Sequence, residues 1–573
     1  MLFASLGLPE QWRGLNQYTL LEADFGEGLN FVKLWECWRK DAARPKRLHV
    51  VALMTAVVES QTISTRLRAQ TPAALHGLVD QLASQWPLNL PGTHRLDFEA
   101  LALTLTLVVG PVEVTIPRLA VALDAVLFSG SQAQSQHELT NLWQESLPRL
   151  ARDPAGIRLA FKEGLYIKGC LPSTAGTAAL NNRDVLDPTS RMVRYALGES
   201  VTKRALVIGA GIAGAGVAHA LALRGWQVRV LDVQQRRQQA HGDHLAAALT
   251  PMVTRDDDIR ARLSRAGSLR AQSRWSQVSR DIVWRCGALQ LQRVSGRIVD
   301  LKGVLEGLRF PQEWVRYVTE VEASEIAGMP LTRGGLYFPG AARIQPERLI
   351  DTLLTVPGIE RVDAHVERVR KTGGQWEVID ATGEVIGEAP QLILAAAQGT
   401  QELLLRSALL DPCERISLMH QLGGEISLLP SQTLAGGPRC IVSGDGYVLP
   451  SVGGLCVVGS SYIHGAQQVE PSLAGLSGNL SRAANLLGQA DLPERFDNFR
   501  SGDLKGWAGW RAVLPGRLPG IGPVTSQEGL WIAAGFASRG LTWSSLAGDL
   551  IAAALNAEPL PLERDIMDKI SQT

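Results

Sequence analysis

The chain has 573 residues, 45% of them apolar and 20% charged, with a formal net charge of +1. That length exceeds one hydrophobic core and suggests about three to four units of roughly 100–200 residues each. Near-neutrality excludes a protein that works through a strongly basic whole-molecule field, so any nucleic-acid contact must use a local patch.

The first residues, MLFASLGLPEQWRGLNQ, have no basic start and soon meet Pro9 and Glu10, so a secretory signal is not expected. No apolar run reaches the roughly 18 residues that span a bilayer, and no membrane partner is expected. The longest candidate, LALTLTLVVGPVEVTI, alternates with Thr and breaks at Gly110 and Pro111, so it reads as a strand. Short apolar runs (RLHVVALM, LALTLTLVV, ALDAVLF, IRLAF) alternate with the helical stretches NFVKLWECWRK, AALHGLVDQLASQW and ELTNLWQESLPRLA. This alternation predicts a doubly wound, Rossmann-like α/β domain over residues 1–170. Residues 171–203 lose the apolar period to Pro, Gly, Ser, Thr, Asn and Asp and are expected to be a linker. The six cysteines include no C-x-x-C pair and have no His cluster beside them. Reduced thiols, a cytoplasmic setting and no metal site are expected.

The next stretch, RALVIGAGIAGAGVAHALALRGWQVRVLD, spans residues 204–232. An apolar strand leads to Gly209, Gly211 and Gly214 on G-x-G-x-x-G spacing, then to a helix and a second strand ending in Asp232, 23 positions after Gly209. Gly209 suits the tight turn, Gly211 the approach of a diphosphate and Gly214 the packing of helix on strand, with the helix start favouring negative charge. Asp232 fits a ribose hydroxyl and disfavours a 2′-phosphate, which leaves NAD and FAD open.

Further on, residues 255–285 carry Arg255, Arg260, Arg262, Arg265, Arg270, Arg274, Arg280 and Arg285, with Trp275 and Trp284 among them. They could meet RNA phosphate and stack on bases, or form a solvated helix face. Near the end, GLWIAAGFASRGLTWSSLAGDLIAAALN opens with an apolar strand, Leu530–Ala534, and turns through Gly535 into a long helix. This is a second strand–glycine–helix entry, with Ser538, Arg539, Gly540 and Leu541 at its turn. Such a C-terminal entry resembles FAD oxidoreductases of the glycine oxidase and D-amino-acid oxidase type, and that resemblance selects FAD, with the turn aimed at the polar end of the flavin.

Six segments together resemble the MnmC family of bifunctional tRNA-modifying enzymes. They are FGEGLNF at 25–31, QWPLNLPGTHRLDF at 85–98, the βαβ at 204–232, DGYVLP at 445–450, GSSYIHG at 459–465 and FASRGLTWSSL at 536–546. The resemblance implies an FAD-binding Rossmann domain over residues 204–573, with nucleotide-binding parts near 204–260 and 500–573. An inserted mixed α+β substrate domain would lie between them. It further implies oxidation of the carboxymethylaminomethyl group on the wobble uridine of tRNA, releasing glyoxylate and leaving an aminomethyl group. An N-terminal domain of the family then methylates that amine with S-adenosylmethionine. Arg511 lies where related amine oxidases carry the arginine that binds the substrate carboxylate, and Tyr447 and Tyr462 are candidates for lining the same pocket.

The N-terminal half departs from the family pattern. EADFGEG keeps Glu22, Gly26 and Gly28, but Asp24 replaces a glycine and is expected to strain the turn. Met54 stands where an acid would hold the ribose. In DAVLFSGSQAQSQ, Asp124 and Gly130 remain while Ser129 replaces the acid of the methyl-transfer loop. The family's closing strands are absent. The resemblance therefore implies a vestigial S-adenosylmethionine site in a domain that keeps its fold, and this cofactor is not expected to work here. In the other half, His241, Gly242 and Asp243 replace a more usual Ser-Gly-Asn near the flavin. Three alternatives stay open: a fully bifunctional enzyme, a small-molecule amine oxidase with an accessory domain, and a non-catalytic tRNA-binding adaptor that keeps FAD for structure.

Overall fold

The computed structural model describes residues 2–128, 136–153, 156–161, 202–233, 244–293, 299–411, 413–496 and 505–571. Of the residues singled out above, Ser129, Gly130, Cys170, His241, Gly242, Asp243 and nearly all of the expected linker lie outside these ranges. The chain divides into two units, Met1–Ser200 with Ala552–Lys569, and Val201–Ile551 with Ile570–Thr573.

In the first unit, parallel strands Gln17–Glu22, Arg47–Met54, Leu103–Val109, Ala125–Phe128 and Arg158–Phe161 form a sheet, with Gly92–Phe98 antiparallel at one edge. Successive side chains of a strand face opposite ways. Val50 and Ala52 accordingly enter one apolar core, and Val51 and Leu53 the other. Helices therefore cover both faces, as a buried parallel sheet requires. Strand order reverses beside Gln17–Glu22, which places Glu22 at the crevice where such sheets bind ligands.

Ala552–Lys569 complete this unit. Glu558, with a fully buried side chain, accepts from Arg47 Nη1 at 3.0 Å and from Arg95 Nη2 at 2.7 Å. Arg95 also donates to the Pro559 carbonyl, and Gln17 to the Ala557 carbonyl. Arg95 also lies 3.9 Å from Asp97, and burying such charges is tolerable because they hydrogen-bond and pair with one another.

The second unit holds a six-stranded sheet and an eight-stranded sheet. The first runs Ile359–Asp363, Gln227–Asp232, Arg204–Ile208, Gln391–Leu394, Leu530–Ala534, Gly520–Pro523, parallel except for the last strand. The helix after the glycine turn, Ile212–Ala222, packs closely on the helix Gly540–Leu555. Side chains at Gly216 or Gly548 would collide with the opposing backbone.

A third helix, Ile259–Arg274, approaches through Gly267. Arg224, Arg270 and Arg274 from the flanking elements share the fully buried Asp549. Beside them the His219 pKa is pushed down to about 4, first by burial and then by Arg274. Part of the arginine-rich segment is thus helix-packing material. Arg265 pairs with Asp257, Arg270 is buried, and Trp275 is 1% exposed and unable to stack on a base. Arg255, Arg260, Arg280 and Arg285 remain at the surface.

Among the described residues no helix is long and apolar enough to cross a membrane, and no group of three or more His, Cys, Asp or Glu could hold a metal. The five described cysteines form no disulfide.

Candidate functional site

The central strand Arg204–Ile208 ends in Gly209, whose φ of +105° favours glycine. A Cβ there would lie 2.6 Å from the Ala395 carbonyl, and one on Gly214 would collide with the Gly209 carbonyl. Gly211 is the extended N-cap of the following helix and contributes no side-chain cap, so amides of the first turn lack intrahelical partners. Asp232 ends the next strand, and its carboxylate accepts from the Ala210 amide at 2.7 Å and the Val233 amide at 2.8 Å. Each oxygen keeps capacity for another donor. The cradle, its amides and this carboxylate fit a dinucleotide diphosphate and ribose. The second entry lies alongside: a Cβ on Gly540 would stand 3.0 Å from Ile212 Cγ2, so two helix starts abut. Ser538 is exposed, while Leu541 is 9% exposed and so has mainly its backbone to offer.

The eight-stranded sheet supplies the second half of the site. Tyr447 pairs with Gly459, Gly459 with Ile426, and Ile426 with Trp507, so these four share one row and one face. Arg511 follows Trp507 by four residues on the same strand, Gly506–Val513, and so points to the same face. Two glycines clear the floor between them. A Cβ on Gly424 would strike the Arg511 guanidinium, and one on Gly509 would strike the Trp507 indole. Both side chains therefore lie flat across the sheet.

Arg511 Nη2 donates to Ser460 Oγ at 3.0 Å, and Nη1 to the Gly423 and Ser461 carbonyls at 3.3 and 3.5 Å. Its guanidinium sits 4.8 Å from the centre of the Tyr462 ring, which is 55% exposed. Among the described residues no carboxylate pairs with Arg511. Burial pushes the Tyr447 hydroxyl up to about 12 against the opposing pull of Arg511, so it stays a neutral donor near pH 7. His244, on the loop leading to the strand Ala247–Leu249, stacks on Trp507 with centroids 4.3 Å apart and planes 6° from parallel. The structure thus gathers Arg511, Tyr447 and Tyr462 in one place.

The corresponding turn of the first unit differs. The positive φ values fall on Gly26 and Gly28, at +55° and +85°, and Asp24 takes no left-handed conformation. The strain expected at Asp24 is therefore not there, because the tight part of the turn begins one residue later than Phe25. Glu22 is buried and accepts from Asn30 Nδ2 at 2.6 Å. Phe25 stacks on Trp86 at 6.2 Å. Met54 is 8% exposed within the apolar core, where it offers no hydrogen bond to a ribose. Asp124 immediately precedes the strand Ala125–Phe128 and accepts from the Thr19 amide and from Arg152 Nε.

Residues 204–554 match the family described as FAD dependent oxidoreductase (DAO). Over the whole chain, the tRNA 5-methylaminomethyl-2-thiouridine biosynthesis bifunctional protein MnmC of Cupriavidus metallidurans is 34% identical, with 98% of this chain and 89% of the relative covered. This chain belongs to the MnmC family. The MnmC protein of Cupriavidus necator is 32% identical over 98% of this chain and 90% of its own length. Among solved structures, iminodiacetate oxidase from Chelativorans sp. BNC1 shares the fold at a TM-score of 0.52 and 24% identity, covering 65% of this chain and 99% of that one.

Against that MnmC background, sequence reasoning missed Trp507, His244, Ser460 and the two floor glycines. The spacing G-W-A-G-W-R at 506–511 carries a signal for part of this. Alternation puts Trp507, Gly509 and Arg511 on one face, with glycine where a side chain would block its neighbour.

Proposed function

We propose that this protein uses FAD to remove the carboxymethyl group from 5-carboxymethylaminomethyl-(2-thio)uridine at the tRNA wobble position, leaving the 5-aminomethyl form. Gly209, Gly211 and Gly214 would hold the diphosphate, Asp232 a ribose, and the turn Ser538–Leu541 the flavin. The observation that carries the reading is Arg511, a guanidinium laid flat beside Tyr447 and Ser460 with no carboxylate partner among the described residues, in a half that belongs to an FAD oxidoreductase family.

The substituent to be removed is a glycine joined to the base through its nitrogen. Its carboxylate matches the planar donors of Arg511 bidentately. Tyr447, neutral and half-buried, and Ser460 beside it supply hydroxyl donors that orient the same group. A flavin held there would supply two-electron oxidation at the carbon next to the carboxylate, which Arg511 would fix in place. That carbon and the nitrogen become an imine as the nitrogen gives up its proton. Water then adds to the carbon, and the C–N bond breaks to give glyoxylate and the aminomethyl nucleoside.

For the N-terminal unit we propose a retained fold without methyl transfer. Missing hydrogen bonds cost about 1–3 kcal/mol each in a buried polar site, and Met54 and the buried Asn30–Glu22 contact leave few groups for S-adenosylmethionine. The test begins with the purified protein's visible spectrum and anaerobic bleaching by tRNA bearing the carboxymethylaminomethyl group. A colourless protein that takes up no flavin sinks the oxidase reading. Equal turnover of glycine or sarcosine would favour a small-molecule oxidase instead. A methylated product on adding S-adenosylmethionine, or its micromolar binding by calorimetry, would overturn the assignment of the first unit.

A further inference from the structure

Arg539 stands at the turn just before the helix Gly540–Leu555. Its Nη1 donates to the Thr250 carbonyl at 3.4 Å, and its Nη2 lies 3.6 Å from Met252 Sδ. Neither partner carries charge. Other buried or half-buried guanidiniums of this unit are better served. Arg224, Arg265, Arg270 and Arg274 each meet a carboxylate, and Arg415 meets three backbone carbonyls. Among the described residues Arg539 has no carboxylate in ion-pair range, and a guanidinium has five N–H donors to place. Burial lowers its pKa, Tyr462 opposes that shift and Arg260 adds to it. With no carboxylate beside it among the described residues, this cation suits an anionic ligand.

Two neighbours say where that anion belongs. Thr250 and Met252 follow the strand Ala247–Leu249 on the loop that begins at His244, and the next residue, Gly540, abuts the start of the glycine-turn helix. Tyr462, whose phenol interacts electrostatically with Arg539, belongs to the Arg511 cluster. Arg539 thus borders both the dinucleotide cradle and the substrate face.

We infer that Arg539 is the charge-compensating residue for the flavin, facing the electron-rich edge on which negative charge collects when a hydride is accepted. The inference rests on the proposed flavin chemistry and gives Arg539 a task separate from that of Arg511. A hydride brings two electrons and one proton, so the ring system gains a net negative charge. A fixed cation at that edge stabilises the reduced form more than the oxidised one.

The experiment compares the flavin-loaded wild type with Arg539→Met and Arg539→Lys, using midpoint potentials from dye equilibration and affinity for sulfite, a probe that adds reversibly to electron-poor flavins. In Arg539→Met the equilibrium constant for reduction and the sulfite affinity should each fall at least tenfold, while Arg539→Lys stays within threefold of wild type. Unchanged potential and sulfite affinity in Arg539→Met overturn the inference, and a raised KM for tRNA alongside them would assign Arg539 to the substrate carboxylate. If the Met variant sheds its flavin, Arg539→Gln reconstituted with excess FAD is read in the same way, and failure of both to hold flavin makes the role structural. Failure of the wild type itself to take up flavin would instead strike the proposed function.

Discussion

Two turns in this chain leave a parallel strand and open a helix on glycines, yet their surroundings differ. At Gly209–Gly214 backbone atoms already occupy the space of the missing side chains, and the Asp232 carboxylate is fastened to the turn through the Ala210 amide. At Gly26 a Cβ would meet nothing within 4 Å and at Gly28 it would meet a side chain, the Phe25 ring, not backbone; Glu22 is engaged by Asn30, and the place of the second acid is filled by Met54 in apolar packing. Glycine spacing alone therefore marks a turn. What distinguishes a ligand site is the steric need for glycine together with an acid held at the neighbouring strand end.

The contrast breaks most directly at Gly214. Gly214→Leu drives a side chain into the Gly209 carbonyl, and overpacking of about 1–3 kcal/mol falls on the diphosphate cradle itself. The variant should emerge without flavin and stay colourless on reconstitution; normal flavin content would erase the distinction between the two turns. Next in size is Arg511→Leu. Removing one partner of a buried charge pair costs about 2–5 kcal/mol, so kcat/KM for tRNA should fall roughly 30- to 1000-fold with flavin retained. Gly424→Ala should act the same way at about a tenth of wild-type rate, because its Cβ evicts the guanidinium.

A smaller effect sharpens how the second turn is anchored. His219 on its helix has a pKa lowered from 6.5 to about 4. The unfolded chain therefore takes up a proton that the fold refuses, so this stability is complete above pH 6.5 and is lost as pH falls toward 4. The loss is about 3 kcal/mol at most, and urea unfolding of His219→Gln should show a flatter acid limb than wild type. Smallest of all is Gly26→Ala. It pays roughly 1–2 kcal/mol for a left-handed alanine and should leave flavin reduction by tRNA untouched; a loss of oxidation would show that the first turn still serves the reaction.

The α/β character of both units and the dinucleotide turn were legible in the residues, because strand, glycine triplet, helix and terminal acid are local in sequence. Arg511 was legible only through resemblance. Its placement depends on Gly424, nearly ninety positions earlier, and on Ser460 from a third segment, which no periodicity connects. The arginine-rich stretch misled for a related reason. Charge on a helix reads as solvent-facing until the partner is known, and Asp549 lies on a helix far downstream. Nor did composition hint that Ala552–Lys569 would group with the first unit.

Glu558 bears on how this molecule can be dissected. A fragment stopped anywhere near residue 200 would delete the buried carboxylate that Arg47 and Arg95 both meet. Biochemists who express the leading half by itself and find it insoluble would be observing an amputation, and would learn nothing about whether that half once methylated RNA.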